Sequence, residues 1–358
     1  MTGPRRVVLT SIVRMAWPDQ VSANLRVLDL ESGRVTFVTP VPESVWRADD
    51  PNPRGGVRGA RGVSVHGGRL VLANSERLFL FDTSWRLTGQ ITHPLMGGLH
   101  DILAEERGIW LTCAACDALL LVSWDGELND WWTLRDHPQL VRELGLPRLP
   151  GLDLALDYRD PRRVPNSVSN RIHLNAVTRF PDGLLLSFGR FVPVEKKLLR
   201  RPRPLMPGTS AVVVLDEHEA IRTAPATVLH RADGAAAPNH NAARDGDLLV
   251  YNDSNDNRLV AIDRSGDEQA SVPIPGDPAF ARGLAPAGPG RWLVGSQAPA
   301  AVHLVDLGRA EVDATFPLDG HENETVYAIA ELPDEFADVA ASAGDDPYAF
   351  WLAQPDGH

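Results

Sequence analysis

Four segments of the chain repeat one layout of short apolar runs and tight turns, with a period of about forty residues. The first holds Arg61-Gly62-Val63-Ser64-Val65, a Gly67-Gly68 turn, Arg69-Leu70-Val71-Leu72-Ala73 and Leu78-Phe79-Leu80-Phe81-Asp82. A second runs from His100 through Gly108-Ile109-Trp110-Leu111 to Leu119-Leu120-Leu121-Val122. The others start at His240 and at Arg282-Gly283-Leu284-Ala285 and end near Asp263 and Asp306. Each reads as strand, turn, strand, turn, strand, then a weaker outer strand, which is the unit of a propeller blade.

A fifth unit opens at His173, passes the Pro181-Asp182-Gly183 turn and resumes after an insertion at Ser210-Ala211-Val212-Val213-Val214. The N-terminal region supplies Val7 to Val13 and Leu25 to Leu30 without an inner strand, and Glu324 to Leu332 is an inner strand without a blade. The chain is therefore expected to be all-β: a single-domain, six-bladed β-propeller over residues 1–358, closed by pairing of the C-terminal inner strand with the N-terminal blade. Closure removes exposed sheet edges. Segments at 41–60, at about 135–170 and at 190–208 interrupt the repeat. The latter two flank the His173 blade and are expected near one mouth of the channel as a lid, with His137 to Leu144 forming a short helix.

Composition narrows the class. Gly and Pro number 30 and 29, as a turn-rich chain requires, and 43% of residues are hydrophobic. The net charge of −12 argues against a nucleic-acid backbone as partner. No apolar stretch approaches the roughly 18 residues of a membrane span, so a cytoplasmic protein with a small-molecule substrate and no membrane partner is expected. Cys113 and Cys116 form a CxxC inside a strand–turn–strand pattern. With no second pair they read as reduced thiols in a hairpin.

Chemistry is concentrated at the starts of the inner strands. His100, His173 and His240 open three successive blades, and Arg61, Arg282 and Glu324 hold comparable places in the other three. In a propeller these positions face the central axis. Two readings follow. Three neutral imidazoles suit one Zn, Fe, Cu or similar ion with an open position for lyase, isomerase or oxidoreductase chemistry, Asp101 or Glu324 orienting a ligand. Alternatively, one imidazole is a nucleophile and the other cationic groups stabilise a transferred oxyanion, with no cofactor. A non-catalytic ligand-binding or scaffold propeller is a third possibility. His321, just before the last inner strand, is within reach of the channel mouth.

The segments resemble the arylsulfotransferase-like six-bladed propellers, which carry His-Asp, His-x-Asn-Ala and Gln-His-x-Ala at successive blade starts. Here they read His100-Asp101, His173-Leu174-Asn175-Ala176 and Asn239-His240-Asn241-Ala242, followed by Ser187-Phe188-Gly189-Arg190 and Tyr251-Asn252-Asp253-Ser254-Asn255. The resemblance covers roughly residues 95–270 at motif level. It implies that His240 takes a sulfuryl group, that His173 and Arg190 hold the sulfuryl oxygens, and that His100 and Asn175 complete the site. It also implies an aromatic substrate, and the basic run Lys196 to Arg203 of the 190–208 insertion could attract an anionic one. The chain is similar, too, to an uncharacterised group of bacterial propellers with His-Glu, His-Leu-Asn-Gly, Pro-His-Ser and Thr-Arg-Gly-Leu-Ala segments; the last matches Ala281-Arg282-Gly283-Leu284-Ala285.

Overall fold

The computed structural model describes residues 3–17, 20–50, 59–144, 151–164, 172–181, 183–189, 208–216, 220–235, 239–339 and 346–355. Among them lie six four-stranded antiparallel sheets. One blade comprises β4 (Val63–His66), β5 (Arg69–Ala73), β6 (Leu78–Phe81) and β7 (Leu87–Ile91). The next holds β8 (Leu99–Glu105), β9 (Gly108–Cys113), β10 (Ala118–Val122) and β11 (Leu128–Thr133). Then come β12 (Leu174–Phe180), β13 (Gly183–Phe188), β14 (Gly208–Asp216) and β15 (Ala226–Ala235), and after them β16 (His240–Asp245), β17 (Leu248–Asp253), β18 (Arg258–Ile262) and β19 (Glu268–Pro273). A further blade is β20 (Arg282–Pro286), β21 (Arg291–Gly295), β22 (Ala301–Asp306) and β23 (Glu311–Pro317). The remaining sheet takes strands from both ends of the chain: β24 (Glu324–Glu331) pairs with β1 (Arg6–Val13), which continues to β2 (Ala23–Asp29) and β3 (Arg34–Pro40). There Val7 faces Glu331 and Val13 faces Glu324. The innermost strands β24, β4, β8, β12, β16 and β20 contact one another in a complete ring.

Burial explains the strand composition. The middle strands β6, β9 and β10 are buried along their whole length, which is why they are near-continuous apolar runs. The outer strands β19 and β23 keep a solvated face and a weaker pattern. Blades pack face to face, so the apolar clusters form between them. Trp110 and Trp132 are fully buried in the cluster shared by the blades of β8 and β12, where large rings fill the widening gap. Cys113 and Cys116 are free thiols buried in another such cluster. Burial holds the Cys113 thiol well above its ordinary range.

Antiparallel order places the start of each inner strand, the end of each second strand and the end of each outer strand at one end of the ring. The described strands that flank the three interrupting segments therefore end and begin at the end where the histidines lie. Residues 190–207 and parts of the other two lie outside the described residues. Helix α1 (Pro138–Glu143) begins with proline at its first position, where the missing N–H costs nothing. The stretch 151–164 sits over the turn before β8, and the Tyr158 N–H donates to the Pro94 carbonyl at 2.8 Å. A Cβ at Gly97 would stand 2.1 Å from the Tyr158 oxygen, so only glycine fits. Near the C-terminus, α2 (Ala349–Leu352) drives Trp351 between the first two blades. Its ring meets Phe79 and Phe81 edge-on, and its indole N–H donates to the Pro40 carbonyl at 2.6 Å. No helix of the described residues is long and apolar enough to cross a membrane.

Candidate functional site at the propeller axis

Five inner strands carry one extra residue at their start. Register breaks between Leu99 and Ile102, Leu174 and Ala176, His240 and Ala242, and Arg282 and Leu284. It also breaks on β24, where Tyr327 is skipped between Val326 and Ala328. Such bulges bend a strand and re-aim its side chains. The bulged residue also meets the next blade. Asp101 accepts from the Val177 N–H at 3.2 Å, and Asn241 accepts from the Gly283 N–H at 2.9 Å. Asn175 donates to the Asn239 carbonyl at 2.8 Å. At the same place in other blades, a Cβ on Gly62 would stand 2.8 Å from the Ile102 nitrogen. At Asp101, Asn175 and Asn241 a short polar side chain thus reaches neighbouring backbone, and at Gly62 a glycine makes room for it.

Asp101 is consequently a stitch between blades rather than a group aimed at a ligand. Its second oxygen accepts from the Ile102 N–H at 3.0 Å. Burial pushes its carboxyl up to about 7. Asp101→Asn keeps one of these two acceptors and sets an amide NH2 against the other donor, so it is expected to cost about 1 kcal/mol, less than full truncation. Asp101→Ala strands two backbone donors and is expected to cost about 1–3 kcal/mol. Urea midpoints at unchanged slope read the difference.

The structure brings the three histidines together. The His100 and His173 rings lie 4.4 Å apart, edge to face, and His173 and His240 lie 6.4 Å apart. His173 takes a left-handed backbone, φ 50°, on entering β12. Arg282 and Arg61, both buried, accompany the imidazoles. The Arg282 guanidinium stacks 3.5 Å from the Tyr327 ring centre, and Arg61 lies 5.2 Å from it.

Hydrogen bonds assign two tautomers. Arg282 approaches Nδ1 of His100 at 3.0 Å, and the Tyr327 hydroxyl approaches the same nitrogen at 2.7 Å. A guanidinium can only donate, so Nδ1 is an acceptor and the proton sits on Nε2. For His240 the reverse holds. The Ser254 hydroxyl lies 2.5 Å from the Ala281 carbonyl, which can only accept, so that hydroxyl donates there. Nδ1 of His240, 2.8 Å from the same hydroxyl, must then be the donor, leaving the lone pair on Nε2.

Electrostatics favours neutral imidazoles and a bound anion. Burial, then the Arg282 and Arg61 charges, hold His173 down to about 3. Burial, His173 and the same arginines keep His100 well below its ordinary value. Burial also lowers Arg282 to about 10. Cations and burial thus act together, and an oxyanion would relieve both. A linked expectation concerns stability. The folded values of His173 (about 3) and His303 (about 4, lowered by burial) lie below the ordinary value of 6.5, so the unfolded chain binds protons first as pH falls. Their contribution is complete above about pH 6.5 and declines towards 3, while Asp101 acts in the opposite sense between about 7 and 3.8. The melting temperature is expected to be lower at about pH 5 than at about pH 7.5, with a shallower slope in His303→Asn.

The donor set does not fit a metal ion. Nδ1 of His100 is engaged by Arg282 and Tyr327, and guanidinium charge lies beside the imidazoles. Among the described residues no group of three or more His, Cys, Asp or Glu is placed to hold one.

Other sequence expectations need correction or lie beyond view. Glu324 does not join the axial cluster. It is buried against Arg26 of β2, whose Nη2 donates to both carboxylate oxygens at 3.0 Å, and it also accepts from Ser11 and Asn24. β24 instead contributes Tyr327. His321 is exposed and accepts from the Asn323 N–H. Asn175 is buried in the wall between blades. Arg190 lies outside the described residues. Sequence reasoning missed Tyr327, Ser254, Phe280 and Arg14. Phe280 lies 5.4 Å from the His240 ring, and Arg14 covers Phe280 at 4.5 Å. Of these, only Ser254 stood inside a recognisable motif, two residues past Asn252.

Comparison with known proteins gives the fold. A Bacteroides caccae protein of unknown function aligns over 91% of this chain and 98% of its own, at 12% identity and a TM-score of 0.54. A chain of a nidogen/laminin complex aligns over 90% and 97%, at 10% identity and a TM-score of 0.54. A virginiamycin B lyase from Staphylococcus aureus aligns over 74% and 86%, at 13% identity and a TM-score of 0.45. No family model and no curated protein matches the chain. At these identities the likeness speaks to propeller architecture alone.

Proposed function

We propose that this protein is an enzyme that moves a sulfuryl or similar anionic group to a phenol or alcohol through His240. The observation that carries the reading is the chain from His240 through Ser254 to the Ala281 carbonyl, which places an imidazole lone pair on Nε2 beside other axial groups that favour negative charge. The motif resemblance to arylsulfotransferase-like propellers supports the same assignment. In the first step Nε2 attacks the sulfur of an aryl sulfate. An N–S bond forms, the S–O bond to the aryl oxygen breaks, and that oxygen leaves with the bonding pair. An acceptor hydroxyl then attacks the same sulfur, the N–S bond breaks to restore His240, and the hydroxyl proton replaces the one taken up by the departed aryl oxygen. Arg282 and Arg61 are the donors for charge on the sulfuryl oxygens. Phe280, beside His240, gives an aromatic leaving group a ring to pack against.

Incubation with 4-nitrophenyl sulfate should release 4-nitrophenol and add one sulfuryl group to the protein, read by intact mass. Binding of the ester without release or adduct would instead establish a ligand-binding propeller.

A further inference from the structure

We propose that Tyr327 and His100 form a proton relay to the departing aryl oxygen, with Tyr327 supplying the proton through His100. The inference rests on the sulfuryl-transfer reading and adds a residue and a role to it.

The geometry of β24 carries the argument. Tyr327 is the residue skipped in the β1–β24 pairing, so it leaves the regular alternation of its strand. Its hydroxyl lies 2.7 Å from Nδ1 of His100. Arg282 donates to that same nitrogen, which leaves the His100 proton on Nε2. The His100 ring lies 4.4 Å from His173, which in turn contacts His240. A proton donor thus stands among the imidazoles, backed by a second donor at hydrogen-bond distance from its other nitrogen.

A neutral imidazole is a poor acid unless its second nitrogen is protonated as the first gives up its proton. His100 is kept neutral by burial and by the neighbouring cations. The arrangement answers that difficulty. As the S–O bond breaks, the His100 Nε2–H passes to the aryl oxygen, the Tyr327 O–H passes to Nδ1, and the Arg282 N–H that shared Nδ1 turns to the Tyr327 oxygen. The phenol leaves neutral, His100 ends as the other neutral tautomer, and Tyr327 ends as phenolate. Arg282, 3.5 Å from the ring centre, and Arg61, 5.2 Å from it, stand where that charge grows. In the second half-reaction the acceptor hydroxyl returns a proton to Nε2, Nδ1 returns one to Tyr327, and both residues are restored. Protons balance across the cycle without an outside acid.

The test compares single-turnover adduct formation from 4-nitrophenyl sulfate, whose leaving group needs little protonation, and from phenyl sulfate, whose leaving group needs it. In Tyr327→Phe the ratio of the two rates is expected to widen by about a hundredfold or more relative to wild type, the usual scale of a lost general acid. Because the ratio is taken within one protein, the folded fraction cancels. His100→Asn is expected to widen the ratio similarly, and the double variant no further, as two members of one relay require. Equal slowing of both esters in Tyr327→Phe, or additive effects in the double variant, overturns the relay while leaving the nucleophile assignment intact. A wild-type protein that gains no sulfuryl group from either ester overturns the sulfuryl reading, and the relay with it.

Discussion

With alanine at position 240, no sulfuryl adduct forms and turnover of the aryl sulfate falls by at least about a thousandfold, the loss that follows when a covalent nucleophile is removed. The size of the effect has a geometric basis. Nδ1 of His240 is fixed as donor to Ser254, whose own proton is committed to the Ala281 carbonyl, so the reactive lone pair is set before substrate arrives. The neighbouring imidazoles do not substitute for it. His100 presents an N–H where His240 presents a lone pair, and His173 sits between them. The side chain is 2% exposed, so its loss leaves a small void in the wall and the fold persists. Intact mass before and after incubation, with circular dichroism as the control, decides the matter. An adduct that survives in His240→Ala moves the nucleophile to another residue.

The second large effect is on stability. Glu324→Ala is expected to lower the unfolding free energy by about 3–5 kcal/mol, because it leaves the Arg26 guanidinium buried without its counter-charge. The two side chains are 7% and 1% exposed and meet at 3.0 Å. The carboxylate also accepts from the Ser11 hydroxyl, the Asn24 amide and the His321 N–H, and alanine orphans all three. Arg26 and Ser11 belong to β2 and β1, whereas Glu324 opens β24, so the pair links strands from the two ends of the chain. Urea unfolding of Glu324→Ala beside Arg26→Met/Glu324→Leu tests the cause. If the stranded charge dominates, the apolar double variant recovers much of the loss. A loss below about 1 kcal/mol in the single variant would mean that water reaches the guanidinium.

The blade architecture was legible because burial imposes it directly on composition. β9 and β10 are apolar almost from end to end since neighbouring blades cover both faces, and the turn after β10 carries Asp125 and Gly126. The histidine positions were legible because each opens a segment of matching pattern. Which partners those side chains find was not. Glu324 stands at the head of an inner strand like Arg61 or Arg282, yet its partner is Arg26, nearly the whole chain away in sequence and two strands away in space. Tyr327 reaches the axis through a skipped residue in the β1–β24 ladder, and a bulge leaves no mark in a run such as Val326-Tyr327-Ala328-Ile329. Asp101 looked like an orienting acid because its neighbour is an axial histidine. Its role is set by how close the next blade's backbone comes, which a strand's own sequence does not encode. Phe280 and Arg14 belong to connecting loops, outside any repeated pattern.

Tyr327 reaches His100 from the strand that joins the two ends of the chain into one sheet. A partly folded chain that has already stacked the blades of β8, β12 and β16 holds all three imidazoles but lacks the contact that, with Arg282, settles where the His100 proton resides. Docking of β24 against β1 therefore completes the hydrogen bonding at His100 as the circle shuts. Under the proposed sulfuryl transfer, loosening of that seam would remove the relay while most of the sheets still stand.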